Sequence, residues 1–481
     1  MFLTGAEEML KVILKGHDCY YGIADILRMF FGEISEDREK GFVTASDAPD
    51  ITLINTVEDD GSSVTEVMQN AKRYVFDGVP LEAGREVRRS LYIALSDITG
   101  TELPWGCLSG IRPTLVASEE DSAEELAKKY LVREDKAALG FETSREEMRL
   151  LGLVPHDDLN IYVGVPFCPS RCSYCSFISE DISHHLGRLG EYEAALEKEI
   201  RALAPHIDRR ISTLYMGGGT PTVFSDEQFA RLLDCIYSEL KIDTGCEVTV
   251  EAGRPDTITG YKLDAMRSHN IGRICINPQT MRNETLAKLG RLHTSEDIVR
   301  TYELAGENGF EVINMDLIAG LPHETGDDFV DSVSKLIKLG PGNITVHTLY
   351  KKRRAALSKA TVLDREESRG DIDAAVREGY RLLYEAGYHP YYLYRQKDTG
   401  HGLENTGFAK DDTGCLYNVA MMSDARDILS FGAGGMSKRC FEQAGSASKH
   451  RVERCPTVKD ALTYIRGSIE AAERKRAFFE L

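Results

Sequence analysis

Between Asn160 and Tyr350 the sequence alternates short apolar, strand-like runs with longer stretches of helical spacing, and this alternation limits the possible folds more than any other feature. The runs are Ile161 to Phe167, Ile211 to Met216, Glu247 to Glu251, Gly272 to Asn277, Glu311 to Ile318 and Asn343 to Leu349. Between them lie helical candidates such as Glu191 to Leu203 and Asp226 to Glu239. Strands separated by helices pair in parallel and cross over with a right-handed turn. Six units rather than eight predict an α/β fold built on a partial (β/α)6, TIM-like barrel. A run of six apolar residues can also be a buried helical turn, and the regular spacing decides for strands. Chemistry in such barrels gathers at the carboxyl ends of the strands, where loops vary over a fixed scaffold.

Four regions are expected: a small α/β domain over residues 1–118, an acidic helical linker over 119–158, the barrel over 159–350 and a C-terminal covering region over 351–481. In the first, the apolar runs Asp50 to Thr56 and Val87 to Leu95 flank the turn signal Asp59-Asp60-Gly61. In the second, Ser122 with Glu125 and Ser144 with Glu147 have capping-box spacing, which predicts two short helices leading into the barrel. A formal charge of −19 disfavours nucleic acid and anionic membrane surfaces as partners. The first residues, MFLTGAEEMLKVILKGHD, lack the unbroken apolar core of a secretory signal, and no later stretch has 18 uncharged apolar residues. A cytoplasmic location is expected. A reducing cytosol directs the 11 cysteines toward metal or catalytic use.

Cys168, Cys172 and Cys175 sit in CPSRCSYC, directly after the first strand-like run, so three thiols share one strand-end loop. Random placement of the cysteines would give such a triplet about 0.006 times. Iron–sulfur clusters are held by thiolates in short runs, and three ligands to a four-iron cluster leave one iron open. Zinc is the competing reading. A structural zinc site draws four ligands from spaced pairs, and Cys235, Cys246, Cys275, Cys415, Cys440 and Cys455 are scattered singly.

The later strand ends carry further polar groups. Gly217-Gly218-Gly219-Thr220-Pro221-Thr222 follows the second run, and its glycines let backbone groups approach a ligand closely. Glu251, in VEAGRP, closes the third run; Gln279, in INPQT, follows the fourth, with Arg291 beyond it in LGRLH; Asp316, in NMDLIAGLP, lies in the fifth. Each alone could cap a helix or be solvated. Their recurrence at successive strand ends favours one site.

Together, IYVGVPFCPSRCSYC, YMGGGTPT, VEAGRP, INPQT, LGRLH and MDLIAGLP resemble, in order and spacing, the oxygen-independent coproporphyrinogen III oxidase (dehydrogenase) family of the radical S-adenosylmethionine (SAM) superfamily. The resemblance covers roughly residues 155 to 440. PWGCLSGIRPT, YYLYRQK and LYNVAMMSDARDILSFGAGGMSK resemble the HemZ-type branch.

This resemblance implies a [4Fe–4S] cluster on Cys168, Cys172 and Cys175, with SAM at the open iron. Tyr162, counted as the catalytic position, would line that SAM with Gly218 and Glu251. A second SAM is implied at Tyr174, Gly219, Thr220, Gln279, Arg291 and Asp316, with Tyr350 and Met436 as further contacts. The implied activity is oxidative decarboxylation of coproporphyrinogen III to protoporphyrinogen IX by a 5′-deoxyadenosyl radical, with an electron donor such as flavodoxin or ferredoxin. The family's best-characterised branch has a fourth cysteine where this chain has Phe177, and SYCSF is also how the related heme chaperones read. Heme binding or trafficking, or a radical reaction on heme, therefore stands as the alternative. Propionate side chains need fixed cations, and Lys351-Lys352-Arg353-Arg354, Arg395, Lys397 and Arg112 are the candidates. A charge run is also the usual form of a solvated face.

Overall fold

The structure, a computed structural model, describes residues 9–32, 34–46, 50–175, 180–182, 186–349, 367–396, 402–443 and 446–481. It divides into two compact units: residues 1–142 with 395–404, and residues 143–394 with 405–481. Among the described residues no helix is long and apolar enough to cross a membrane.

The N-terminal unit is α/β. Strand Met9–Lys15 alternates buried Leu10, Val12 and Leu14 with outward residues, as a strand with one covered face must. It pairs parallel with Thr52–Val57 and antiparallel with Phe42–Ser46 inside a 6-stranded sheet. Helices Tyr20–Phe31 and Ala83–Thr99 bury Ile23, Leu27, Val87 and Leu91 in the same core. Asp59-Asp60-Gly61 turns the chain between Thr52–Val57 and Ser63–Val67, with Gly61 at φ 83°. Three helices follow: Pro113–Ala117, Ala123–Tyr130 and Glu134–Leu151. Ser122 caps the second as expected, its side chain accepting from the Glu125 N–H at 3.2 Å. Ser144 caps nothing: it lies inside the 18-residue helix Glu134–Leu151. That helix begins eleven residues earlier because Glu134 and Asp135 supply an acidic first turn and its one glycine, Gly140, does not stop it.

The second unit is built on an 11-stranded sheet. Its strands are β1 (Leu159–Val165), β2 (Ile211–Gly218), β3 (Glu247–Glu251), β4 (Arg273–Cys275), β5 (Val312–Ala319), β6 (Asn343–Thr348), β7 (His389–Arg395), β8 (Glu404–Ala409), β9 (Ile428–Phe431), β10 (Met436–Gln443) and β11 (Ser446–Pro456). Their order is β7-β8-β6-β5-β4-β3-β2-β1-β9-β10-β11. β1 to β6 are the six predicted strands, each parallel to its sequence neighbour with a crossover between, the core of a partial (β/α)6 barrel. β9 adds a further parallel strand beside β1, and β8 pairs antiparallel with β6. The crossover helices start where side chains cap them: Ser225 and Gln228 form a capping box before Asp226–Leu240, as do Thr294 with Asp297 and Thr325 with Asp328 before their helices.

Register aligns polar side chains on one face of the parallel strands. Thr213 donates to Asn160 at 2.8 Å and Thr345 to Asn314 at 3.1 Å. Arg273 donates to Asn343 and, at 2.8 Å, to the Thr413 carbonyl. Tyr417 and Cys415 are buried against this face, with Tyr417 stacked on Tyr215 at 4.8 Å between ring centroids. On the other face, helix Leu189–Leu203 buries Tyr192, Leu196, Ile200 and Leu203. Its Glu199 is fully buried and satisfied by Lys475 Nζ (2.5 Å), Tyr464 Oη (2.7 Å) and the Gly432 N–H (2.9 Å). That network ties the C-terminal helix Ser468–Phe479 to the loop between β9 and β10.

Candidate active site

The three cysteines leave β1 on a loop held at both ends. The Gly219 N–H donates to the Val165 carbonyl and the Thr220 N–H to the Phe167 carbonyl, each at 2.7 Å, so the start of the cysteine loop is laced to the glycine loop after β2. Farther along, Ser170 Oγ donates to the Gly290 carbonyl at 2.8 Å and the Ser173 N–H to the Leu289 carbonyl at 3.1 Å, which fixes the loop to the LGRLH segment. The thiols are free of disulfides and partly exposed.

The groups around the sulfurs are donors. Thr220 Oγ1 stands 3.5 Å from Cys168 Sγ; Arg254 and Arg291 direct N–H groups at Cys172 Sγ from 3.8 and 3.9 Å. Donors of this kind offset the negative charge of several thiolates held together on a cluster. Among the described residues no three His, Cys, Asp or Glu side chains close on one point as ligands of a single ion do. Thiolates on a four-iron cluster bind separate irons, so loop, cation and hydroxyl fit that group.

Arg291 is buried and, besides Cys172, donates to Tyr174 Oη (3.0 Å) and to the carbonyls of Asn277 (2.6 Å) and Gly253 (3.1 Å). Burial opposes its charge, yet Tyr174 and Cys172 beside it hold it above its ordinary value. His293, buried between Arg291 and Arg254, is driven down to about 3 and stays neutral, accepting at Nε2 from Arg291. Tyr174 lays its ring on Leu289, Ile318, Leu321 and Leu349, and burial raises its phenol far above the ordinary value.

At the end of β3, Glu251 accepts from Tyr215 Oη at 2.6 Å through Oε1 and from the Gly218 N–H at 3.0 Å through Oε2. The register places it so: Tyr215 pairs with Thr249 across β2 and β3, and one step on the carboxylate reaches the glycine loop. The loop must be glycine. A Cβ on Gly217 would stand 2.7 Å from the Glu251 carboxylate, and Gly218 has φ 107°. Burial pushes the Glu251 carboxyl up to about 7, against the two hydrogen bonds that pull it down. Tyr162, on β1, stacks on Tyr215 at 6.4 Å and on Tyr417 at 6.3 Å, and burial near Glu251 keeps its phenol protonated.

Asp316, on β5, accepts from Asn314 at 2.8 Å and faces His347 at 3.7 Å. Burial would raise its carboxyl, but His347, Asn314 and Thr345 together hold it below the ordinary value. Gln279 reaches the same place by an unusual route. After β4 the chain makes a single bridge to β5: the Gln279 N–H donates to the Asp316 carbonyl at 2.8 Å, with φ 68° at Gln279.

The structure thus gathers Cys168, Cys172, Cys175, Tyr162, Tyr174, Gly218, Gly219, Thr220, Glu251, Gln279, Arg291 and Asp316 at the carboxyl ends of β1 to β5 and the loops that follow. Met436 opens β10, two strands beyond β1, behind a loop whose Ala433 N–H donates to Tyr192 Oη at 2.9 Å. Tyr350, Phe177, the run 351–354 and Lys397 lie outside the described residues. Sequence reasoning passed over Tyr215, Arg254, His347 and Tyr417. Tyr215 and His347 carried one usable signal: each sits at a strand position two or four residues from a polar partner, on the inward face.

Residues 162–336 match the radical SAM superfamily. Over 403 residues the chain is 36% identical to the oxygen-independent coproporphyrinogen-III oxidase-like protein HemZ of Bacillus subtilis, covering 79% of each chain. It is 31% identical over 278 residues to the heme chaperone HemW of the same organism, 57% of this chain and 69% of that one. Among solved structures, the coproporphyrinogen III oxidase HemN from Escherichia coli, a radical SAM enzyme, shares the fold with a TM-score of 0.52 at 23% identity, over 69% of this chain and 73% of that one.

Proposed function

The chain belongs to the radical SAM superfamily and, within it, to the family of HemZ-type oxygen-independent coproporphyrinogen-III oxidase-like proteins, and on that premise we propose that it catalyses the oxygen-independent oxidative decarboxylation of coproporphyrinogen III to protoporphyrinogen IX. Proteins of this superfamily use a [4Fe–4S] cluster and SAM. When bound, that pair would supply a carbon radical able to remove hydrogen from the β-carbon of a propionate; loss of carbon dioxide with transfer of one electron to an external one-electron acceptor would leave a vinyl group.

The residues have separable tasks. Cys168, Cys172 and Cys175 hold the cluster, and Thr220, Arg254 and Arg291 donate toward their sulfurs and damp their charge. Glu251 receives the ribose hydroxyls of SAM, and the Tyr215 hydroxyl and Gly218 N–H fix the direction in which its oxygens point. The glycines of 217–219 leave room for the methionine part of SAM beside bare backbone. Tyr162, Tyr215 and Tyr417 stack on one another beside Glu251 and would help to keep water from SAM. Tyr174, Gln279, Arg291 and Asp316, with Gly219, Thr220, Tyr350 and Met436, are assigned to a second SAM. The tetrapyrrole's propionates fall to basic residues at the barrel mouth, and reduction to an external donor such as flavodoxin or ferredoxin.

The observation that carries this reading is the meeting of cysteine loop, glycine loop and Glu251 at one end of the sheet, in a chain alike to HemZ over most of both lengths. Similarity to HemW supports a second reading, a heme carrier on the same scaffold. The HNxxYW-like segment expected of such carriers is replaced by CLYNVAMM, whose Cys415 and Tyr417 are buried against the sheet. Anaerobic incubation of cluster-loaded protein with coproporphyrinogen III, SAM and a reductant separates the two. Vinyl product with carbon dioxide supports the oxidase; tight heme binding with no decarboxylation supports the carrier.

A further inference from the structure

Buried cations in this protein are matched by carboxylates. Arg89 pairs with Glu86, Lys136 with Glu404, Arg254 with Asp256, Lys262 with Asp226, Arg273 with Glu247, Lys438 with Asp424 and Lys475 with Glu199. The matching is what physical chemistry requires, because an uncompensated charge in the interior is costly. Two buried arginines break the pattern among the described residues: Arg291, which faces the cysteine loop, and Arg395.

Arg395 is 6% exposed and belongs to the N-terminal unit. It donates to the carbonyls of Leu108 and, at 3.4 Å, Gly402, while its buried Nε has no partner among the described residues. Carbonyl dipoles alone do not neutralise a guanidinium. Burial pushes Arg395 down to about 10 while the Glu404 carboxylate opposes the shift, so the guanidinium stays charged at neutral pH with only that carboxylate's shared field to balance it. Among the described residues the nearby carboxylates make their close contacts with other groups: Glu404 with Lys136 Nζ at 2.6 Å and Trp105 Nε1 at 2.8 Å, and Asp25 with Arg28 at 3.1 Å.

The guanidinium lines a cleft of about 50 Å³ whose other walls include Met29, Leu103, Ser109, Ile111 and Gln396 together with the ion-paired Asp25 and Arg28, all within the same unit. Ser109 Oγ accepts from Arg88 at 2.9 Å, so its own proton is available to a further acceptor. Gln396 contributes a buried carboxamide oxygen without a partner, and an amide that turns over offers its N–H₂ instead. A cationic fork, a hydroxyl and an amide, between aliphatic walls, describe the head and stem of a short aliphatic acid. The space holds about four water-sized groups, enough for a carboxylate and its first methylenes.

We propose that this cleft is a binding site for an aliphatic carboxylate, anchored by Arg395 with Ser109 and Gln396 as further partners and Met29, Leu103 and Ile111 around the stem. Its occupant is either one carboxylate arm of a tetrapyrrole or a free short-chain acid. The site stands whichever of the two functional readings holds, since it needs neither cluster nor SAM.

The chain's single tryptophan serves as the probe, for Trp105 is buried with its ring 6.0 Å from the Arg395 guanidinium. Full-length protein is titrated with sodium propionate, with propanamide and sodium chloride as uncharged and ionic controls. The expected result is a saturable change in Trp105 emission with propionate alone, weakened about tenfold or more in Arg395→Gln, the loss expected for a charge-assisted hydrogen bond. Should that variant fail to fold, Ile111→Tyr, at a side chain already 48% exposed, narrows the cleft and is expected to weaken the response in the same way. Competition against ¹³C-propionate, followed by NMR line width, identifies the source. Displacement by coproporphyrin III, but not by its tetramethyl ester, assigns the site to a tetrapyrrole arm; displacement only by short free acids assigns it to them. No saturable response, an equal response to propanamide, or a response unchanged in Ile111→Tyr and in folded Arg395→Gln overturns the proposal.

Discussion

Replacing Glu251 by glutamine isolates the charge at the centre of the SAM pocket. Burial raises this carboxyl from an ordinary 4.5 to about 7, the two hydrogen bonds from Tyr215 and Gly218 only partly opposing it. Its folded-state value therefore exceeds its unfolded one, so the folded protein binds the proton more tightly between these pH values. Stability from this group is fully present below about 4.5 and lost as pH rises through about 7. At about 1.4 kcal/mol for each pH step the loss approaches about 3 kcal/mol, and because the residue keeps some exposure to solvent, screening trims this to about 2 kcal/mol. Glutamine keeps one acceptor and the shape but cannot ionise. Its fixed cost is the same at every pH, so the informative quantity is the difference between variant and wild type. That difference should move in the variant's favour from pH 4.5 to 8, worth roughly 4 °C in melting temperature for a unit of this size. Cluster-loaded, SAM-free protein followed by circular dichroism across that range gives the answer. A difference that is flat with pH, or that grows in the wild type's favour, would show that the folded protein does not raise the Glu251 carboxyl. In the same protein SAM affinity should rise with pH through about 7 in wild type and lose that dependence in Glu251→Gln.

Three further outcomes are expected. Alanine at Cys168, Cys172 or Cys175 should reduce iron from about four per chain to near zero after anaerobic reconstitution, read by iron assay and visible absorbance. Tyr215→Phe removes the 2.6 Å donor to Glu251, so SAM binding should weaken about tenfold with the cluster intact, and the pH midpoint of binding should rise because one hydrogen bond that favours the carboxylate is gone. Lys475→Met leaves Glu199 buried without its cation, which should cost about 3–5 kcal/mol and lower the melting temperature by several degrees.

Much of this was legible in the sequence because the six core strands are local and bounded by turn and cap signals. Glu247–Glu251 coincides with its predicted span, and the helix Asp226–Leu240 begins at a capping box visible as Ser225 with Gln228. The strand before Gln279 is shorter than expected, Arg273–Cys275 against Gly272–Asn277, because the chain leaves the sheet and returns for a single bridge at a positive φ that no apolar pattern encodes. Long-range pairing left no local trace either. β9 joins β1 from more than 260 residues away, and nothing near Ile428 distinguishes that partner from any other parallel strand. In the site, residues at strand ends could be found by position, whereas Tyr215, Arg254 and His347 earn their place only through register and through neighbours on other strands. Ser144 shows the opposite failure: a capping-box spacing is weak evidence inside a stretch that is helical throughout.

The most direct test of the account follows one hydrogen atom. Coproporphyrinogen III carrying deuterium at the propionate β-carbons is incubated anaerobically with cluster-loaded protein, SAM and a low-potential reductant, and 5′-deoxyadenosine and porphyrin products are analysed by mass spectrometry. Deuterium is expected in 5′-deoxyadenosine, in step with carbon dioxide release and vinyl formation. Cleavage of SAM that yields only unlabelled 5′-deoxyadenosine and leaves the tetrapyrrole intact, in protein that binds heme tightly, would contradict it.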